Sequence, residues 1–324
     1  MDYDKPHLSF DDQVEHLRRR GLRISDPADA VALLRRVGYY RLSAYAYPLR
    51  ILLGPDEARS SSVQYRRDEF MDGASLELVE KLWRFDRELR LLLIDALEAI
   101  EIGLRVQLSY VLGRRDAFGH LNPRHLDEAS CARPGPDGAA LWDTWVARHL
   151  RAQDAAKSED FVRHYVEKYD GRLPIWVATE IMEFGALVRL FGFLRDDDRS
   201  EIARALGTNS GTVMYGWLKT IAYLRNVSAH HGRLWNRRLT YAIARPSPQA
   251  PSAIVHLREL DNAQRAKVYA AAVVVAHIAS SLSPTSDWPR RFAELMTRFP
   301  ANDFVSPERD MGFPSAWREQ ELWR

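Results

Sequence analysis

Arg225-Asn226-Val227-Ser228-Ala229-His230 gathers a guanidinium, an amide and an imidazole near the end of a predicted helix. Asn226 and His230 are four residues apart and share a helical face. Arg225 lies about 100° round from Asn226, and its long side chain reaches towards the same anion. His231, Arg233, Asn236, Arg237 and Arg238 follow at once. Such groups suit RNA cleavage. The 2′-hydroxyl attacks the neighbouring phosphodiester once a base removes its proton and a cation stabilises the phosphorane. Histidine is the side chain suited to proton transfer near neutrality. Arginine offers phosphate oxygens a planar fork of donors that stays charged. The chemistry needs no metal and no cofactor, and its dependence on the 2′-OH makes it specific for RNA. Spacing alone carries little weight, because an arginine and a histidine five residues apart arise by chance in many chains.

The surroundings carry more. Between Ile202 and Arg258 there is no Asp or Glu, while Arg204, Lys219, Arg225, Arg233, Arg237, Arg238, Arg245 and Arg258 all fall there. These eight cations exceed the chain's formal charge of +2, which leaves −6 on the remainder. Segregation of this kind marks a polyanion-binding face, with a solvated basic surface as the plain alternative.

The elements that must position the motif are helical. Ser9-Phe10-Asp11-Asp12 predicts a capping box opening a short helix that Gly21 ends. Asp26-Pro27 opens a second helix towards Val37. Tyr39, Tyr40, Tyr45 and Tyr47 are interleaved with Arg41 and Arg50, a pattern that can stack on bases but more often packs a core. Gly54 to Gly73 is polar and predicts a loop. Ser75 caps the longest helix, to about Leu112, with Leu78, Leu82, Phe85, Leu89 and Leu92 on a buried stripe. Glu98, Glu101 and Arg105 share one face of its apolar half and need partners. Residues 119 to 140 read as a loop, and helices resume near Ala140 and Ser158. Pro174 opens a helix carrying Glu180 and Glu183 that Gly185 ends, and two more run to about Phe193 and Leu206. Gly211 to His231 is the motif helix, with Trp217, Ile221, Leu224 and Ser228 inward. Leu239 to Ala244 reads as a short strand or hairpin arm, Arg245 to Ser252 as a rigid turn, and Asp261 to Leu282 as a helix. Residues 1–70 form a helical extension to a body spanning 71–324, or the two are one continuous all-α domain.

A chain of 324 residues with 46% hydrophobic content buries a real core. The apolar stretch from Leu91 to Leu112 is interrupted by Asp95, Glu98, Glu101 and Arg105, so no membrane span is expected. The single cysteine, Cys131, excludes a disulfide scaffold or a cysteine-rich zinc site. The start MDYDKPHLSF is polar and acidic where a secretory signal is basic, and the cytoplasm is the expected compartment. His256 and His277 read as structural.

The run from Arg225 to Arg237, RNVSAHHGRLWNR, resembles the signature of the Abi-like (abortive infection) proteins of the HEPN ribonuclease superfamily. Other blocks agree in order: Lys5-Pro6-His7-Leu8-Ser9-Phe10 with Gln13; Gly38-Tyr39-Tyr40-Arg41-Leu42-Ser43-Ala44-Tyr45; Phe85-Asp86-Arg87-Glu88-Leu89-Arg90 with Glu98-Ala99-Ile100-Glu101 and Arg105; and Pro174-Ile175-Trp176-Val177 with Glu180 and Phe184-Gly185. Together they cover roughly residues 5 to 240. Where members of the family commonly have Cys and Ser, this chain has Ser228 and Gly232, and neither removes a catalytic group. The resemblance implies an all-α HEPN-type bundle whose Arg-x4-His motifs meet at a dimer interface. A homodimer would then set two copies of Arg225 and His230 around one phosphate. Arg225 would bind the phosphate, His230 would act as base or acid, and Asn226 would orient groups. Glu98, Glu101 and Arg105 would support the motif, with Glu180 pointing at the same core. His231 would donate a proton or, preferably, pack. Arg233, Asn236, Arg237, Arg238, Tyr40 and Arg41 would contact RNA.

The implied function is an endoribonuclease that cuts RNA so that infection stops. The rival is an RNA-binding protein with little turnover, holding a structured or regulatory RNA. A toxin held by an antitoxin protein or RNA is compatible with the first.

Overall fold

The computed structural model describes residues 6–57, 59, 61–169 and 171–324; Lys5 and the acidic start before it lie outside the described residues. Ser9 opens helix α1 (Phe10–Arg19) through reciprocal bonds with Asp12, whose amide donates to the hydroxyl at 3.1 Å. Asp26 caps α2 (Pro27–Val37), and α3 (Tyr39–Ala46) follows across Gly38. Part of the expected polar loop is a hairpin. Strand β1 (Arg50–Leu52) runs antiparallel to β2 (Arg66–Phe70), with Arg50 opposite Phe70 and Leu52 opposite Arg66. β2 reads Arg-Arg-Asp-Glu-Phe and buries only Phe70, so it carries no alternating apolar pattern.

Ser75 caps α4 (Leu76–Gly113), which has 38 residues and is about 57 Å long. It is the spine of the molecule, with Leu82, Phe85, Leu89 and Leu92 buried along it. Helices α5 (Glu128–Cys131), α6 (Leu141–Ala155) and α7 (Asp160–Lys168) come next. The helix expected from Pro174 to Gly185 is broken. It forms α8 (Ile175–Ala178), a 3-10 turn over Thr179–Ile181 and an extended Met182, and then α9 (Phe184–Phe193) with Gly185 in its first turn. Helices α10 (Asp196–Ala205) and α11 (Gly211–Ala229) lead to the motif.

Beyond the motif lie α12 (Ser252–Val255), α13 (Asn262–Arg265), α14 (Val268–Leu282) and α15 (Trp288–Met296). The helix expected from Asp261 to Leu282 is thus interrupted at Ala266 and Lys267. Leu239 to Ala244 pairs with that interruption and not with a strand. The Leu239 and Ile243 amides donate to the Ala266 and Arg265 carbonyls at 2.8 and 2.9 Å. Those acceptors exist only because the helix breaks there.

The protein is all-α apart from the hairpin. Helix α14 is buried all round from Val268 to Ala279, which makes it a central helix. It approaches α4 closely at Gly103, where a Cβ would meet a Leu282 methyl at 2.8 Å. Glycine inside a helix is otherwise unfavourable, and close packing is what it permits here. One hydrophobic core joins Val14 near the start to Trp323 near the end. Among the described residues, no helix is long and apolar enough to cross a membrane.

Candidate functional site

Helix α11 ends at the motif in a Schellman turn. The His231 amide donates to the Ser228 carbonyl at 3.1 Å, and the Gly232 amide donates to the Val227 carbonyl at 2.8 Å. The residue that must turn left-handed is His231, at φ 56°, the one non-glycine with positive φ among the described residues. Glycine ordinarily fills that position, and here it stands one residue later. His231 is exposed, so the packing role expected for it is not what the fold uses. The left-handed backbone costs about 1–2 kcal/mol in an L-residue. His231→Gly is therefore expected to stabilise the fold by about 1 kcal/mol, raising Tm by about 2 °C. A thermal melt that moves downward would show that the imidazole itself contributes stability.

The turn redirects the chain so that two amides point at a buried carboxylate. Asp86 on α4 is fully buried. It accepts from Trp235 N at 2.7 Å, Leu234 N at 3.1 Å and the Tyr45 hydroxyl at 2.6 Å, and Arg90 pairs with it. Arg90 also reaches the Tyr45 oxygen at 3.1 Å. Burial pushes the Asp86 carboxyl up, and Arg90, Tyr45 and the two amides pull it back. Burial and the neighbouring carboxylate push the Tyr45 hydroxyl above its usual range. One node thus fastens α3, α4 and the loop after the motif. The blocks containing these residues were legible in the sequence, but their roles were not. The signal was available: Asp86 and Arg90 sit four apart beside Leu82, Phe85 and Leu89 on a helix that must bury that side.

Arg233 and Arg237 are half-buried and anchored in this scaffold. The Arg233 guanidinium donates to the Ala44 carbonyl, and burial pulls its pKa down. Arg237 donates to the Arg233 carbonyl at 2.7 Å and to the Tyr223 hydroxyl at 3.1 Å. Asn236 is half-buried with its Oδ1 enclosed. Arg238 is exposed, as are Tyr40 (90%) and Arg41 on α3. His256 and His277 are buried, the first against the Tyr269 hydroxyl at 2.9 Å and the second against the Gly207 carbonyl at 2.6 Å.

Beside the motif, α4 and α11 open a groove of about 460 Å³ lined by Glu98, Glu101, Ile102, Arg105, Glu180 and Arg225, among others. The Arg225 side chain is 39% exposed and pairs with Glu101 at 3.6 Å. Glu101 pairs in turn with Arg105 at 2.7 Å, and Arg105 with Glu180 at 3.3 Å. The break between α8 and α9 serves this chain. It leaves the Glu180 and Met182 carbonyls free to accept from Arg105 at 3.0 and 3.1 Å. An unbroken helix would have used those acceptors itself. Glu98 lines the groove and is exposed. Asn226 and His230 are exposed at the helix end, while Ser228 is buried. Among the described residues, no three His, Cys, Asp or Glu side chains cluster so as to hold a metal ion.

Fold and site therefore define an all-α protein with Asn226 and His230 exposed at a helix terminus and Arg225 turned into the neighbouring groove, where it pairs with Glu101 of the spine helix. The Abi-like protein family matches residues 32–236, well over half of the chain, and the chain belongs to that family. The match takes in the groove, the buried node and the motif as far as Asn236, and it leaves out the block from Lys5 to Phe10 with Gln13. No curated protein and no solved structure matches the chain.

Proposed function

We propose that the protein is a metal-independent endoribonuclease of the HEPN type, acting in abortive-infection defence at a site completed across a homodimer. The observation that carries this is the Arg225 guanidinium, paired with Glu101 at the edge of an open groove, while Asn226 and His230 are exposed on another face of the same helix end, so that a second copy is needed to bring an arginine and a histidine to one phosphate. His230 takes the proton of a ribose 2′-hydroxyl as its oxygen bonds to phosphorus. Arg225 stabilises the phosphorane charge. The P–O5′ bond breaks, and the leaving oxygen takes a proton from an imidazolium, leaving a 2′,3′-cyclic phosphate and a 5′-hydroxyl.

Two features support a second copy. Within one protomer the groove holds three carboxylates, Glu98, Glu101 and Glu180, against two guanidiniums, Arg105 and Arg225. A second Arg225–His230 set facing it supplies the positive charge that a phosphate requires. The adjoining face of α4 exposes Ile102, Val106 and Tyr110 at four-residue spacing, Tyr110 to 63%. Apolar side chains in such a row suit an isologous contact.

Wild type, Arg225→Ala and His230→Ala, each with EDTA on mixed RNA, test the proposal. Wild type is expected to cleave and leave cyclic phosphate ends. Each variant should lose at least about a hundredfold. Undiminished cleavage by either variant, or wild-type cleavage abolished by the chelator, would sink it. Intact RNA throughout, with binding that weakens steeply as salt rises, would leave an RNA-binding protein.

A further inference from the structure

We infer that a single strand of RNA lies along the partly exposed flank of α11, running from His230 back to a lysine–tyrosine platform formed by Tyr215, Lys219 and Tyr241. At 100° per residue, Tyr215, Lys219, Tyr223, Asn226 and His230 fall within one narrow stripe of α11. Arg225 faces away from that stripe, into the groove.

The platform is built. The Lys219 ammonium sits 4.9 Å from the Tyr215 ring centre and 5.3 Å from that of Tyr241. Tyr215 is seated so closely over Gly192 that a Cβ there would meet its ring at 2.8 Å, and it stacks on Phe191. The Tyr241 backbone is pinned to α11, where its carbonyl accepts from the Thr220 hydroxyl at 3.2 Å. Tyr241 itself remains 45% exposed. A positive charge held between two aromatic rings, with one ring open to solvent, offers a phosphate contact and a base-stacking face together. No Asp or Glu lies anywhere from Ile202 to Arg258 to oppose a polyanion.

Stacking on Tyr241 requires an unpaired base, since a duplex hides its base faces. That selects single-stranded RNA. Lys219 and His230 are eleven residues apart, about 16 Å along the helix, or about five stacked nucleotides at 3.4 Å each. The substrate strand is thus gripped several nucleotides from the bond that is cut. The inference rests on the ribonuclease reading of the motif, but it concerns a different part of the surface.

Fluorescence anisotropy with the full chain tests it in a His230→Ala background, so that RNA stays intact. The probes are a 12-nucleotide unstructured RNA labelled with fluorescein and the same strand in a duplex. The single strand is expected to bind at least tenfold more tightly than the duplex. Lys219→Ala and Tyr241→Ala should each weaken it about tenfold, and Lys219→Arg and Tyr241→Phe should restore it. Lys81→Ala, an equal change of charge on the exposed side of α4, should leave binding unaltered. Equal binding of strand and duplex, or no loss in Lys219→Ala with Tyr241→Ala combined, overturns the track. The two proposals fail separately. Binding that depends on Lys219 and Tyr241 without any wild-type cleavage removes the nuclease and keeps the track. Cleavage with unchanged KM in the double variant, His230 restored, removes the track and keeps the nuclease.

Discussion

Asp86→Ala lowers the unfolding free energy by about 3–5 kcal/mol, the range expected when one partner of a buried ion pair is removed. The loss has three sources. Arg90 is left charged in a site where its side chain is 6% exposed. The Leu234 and Trp235 amides lose their acceptor, and so does the Tyr45 hydroxyl. Buried donors without partners cost more than the bonds themselves contribute. Asp86→Asn keeps an acceptor for the amides but not the charge opposite Arg90, so its loss falls between zero and that of Ala. Urea denaturation gives both values. A loss under about 1 kcal/mol for Asp86→Ala would mean that water or a side-chain rearrangement satisfies the node. Because Asp86 holds the segment that follows His230, the Asn variant is also expected to loosen the motif and reduce RNA cleavage while the protein remains folded.

Much of the scaffold was legible because its signals are local. Ser9, Asp26 and Ser75 start their helices through side-chain bonds that depend on neighbours in sequence. The Leu82–Phe85–Leu89 stripe is a periodicity, and it faces the core as periodicity demands. What escaped was decided by distant partners. The break after α8 makes sense only through Arg105, 75 residues away from Glu180 in the chain. The break before α14 is matched to the extended segment from Leu239, and no local rule links the two. Strand β2 consists mostly of charged side chains, and its place depends on pairing with β1 and on Asp68 bonding Arg20 at 2.9 Å. The site shows the same division. Helical spacing put Glu101 and Arg105 on one face, only the family resemblance set that face against Arg225, and the structure brings the three together. Arg233 and Arg237 look from sequence like further phosphate ligands, since an arginine anchored to a carbonyl reads no differently from a free one. Lys219 was visible only as one of eight cations, because its ring partners come from a turn of helix away and from beyond the motif.

Acidification exposes a second buried device, far from the motif in sequence. His120 and His149 are 0% and 3% exposed, their rings meet edge to face at 5.5 Å, and His149 stacks on Trp145 at 5.4 Å. Neither ring nitrogen of either histidine has a hydrogen-bond partner among the described residues. Burial, with the neighbouring His149, lowers the His120 pKa to about 3, and burial lowers that of His149 to about 4. The unfolded chain therefore takes up both protons near pH 6.5 while the folded chain refuses them. Stability is lost as pH falls below 6.5 and continues to fall until the folded values are reached. Between pH 7 and pH 5 each histidine accounts for about 2 kcal/mol, at 1.36 kcal/mol per unit. His120→Leu with His149→Phe keeps the apolar volume and the ring stacked on Trp145 but removes both titrations. Urea melts at pH 7 and pH 5 should show the wild type losing about 4 kcal/mol more than the double variant over that interval. An identical pH dependence in the two proteins would mean that one or both imidazoles reach solvent or a proton acceptor in the folded state, and that the pair does not sense acid.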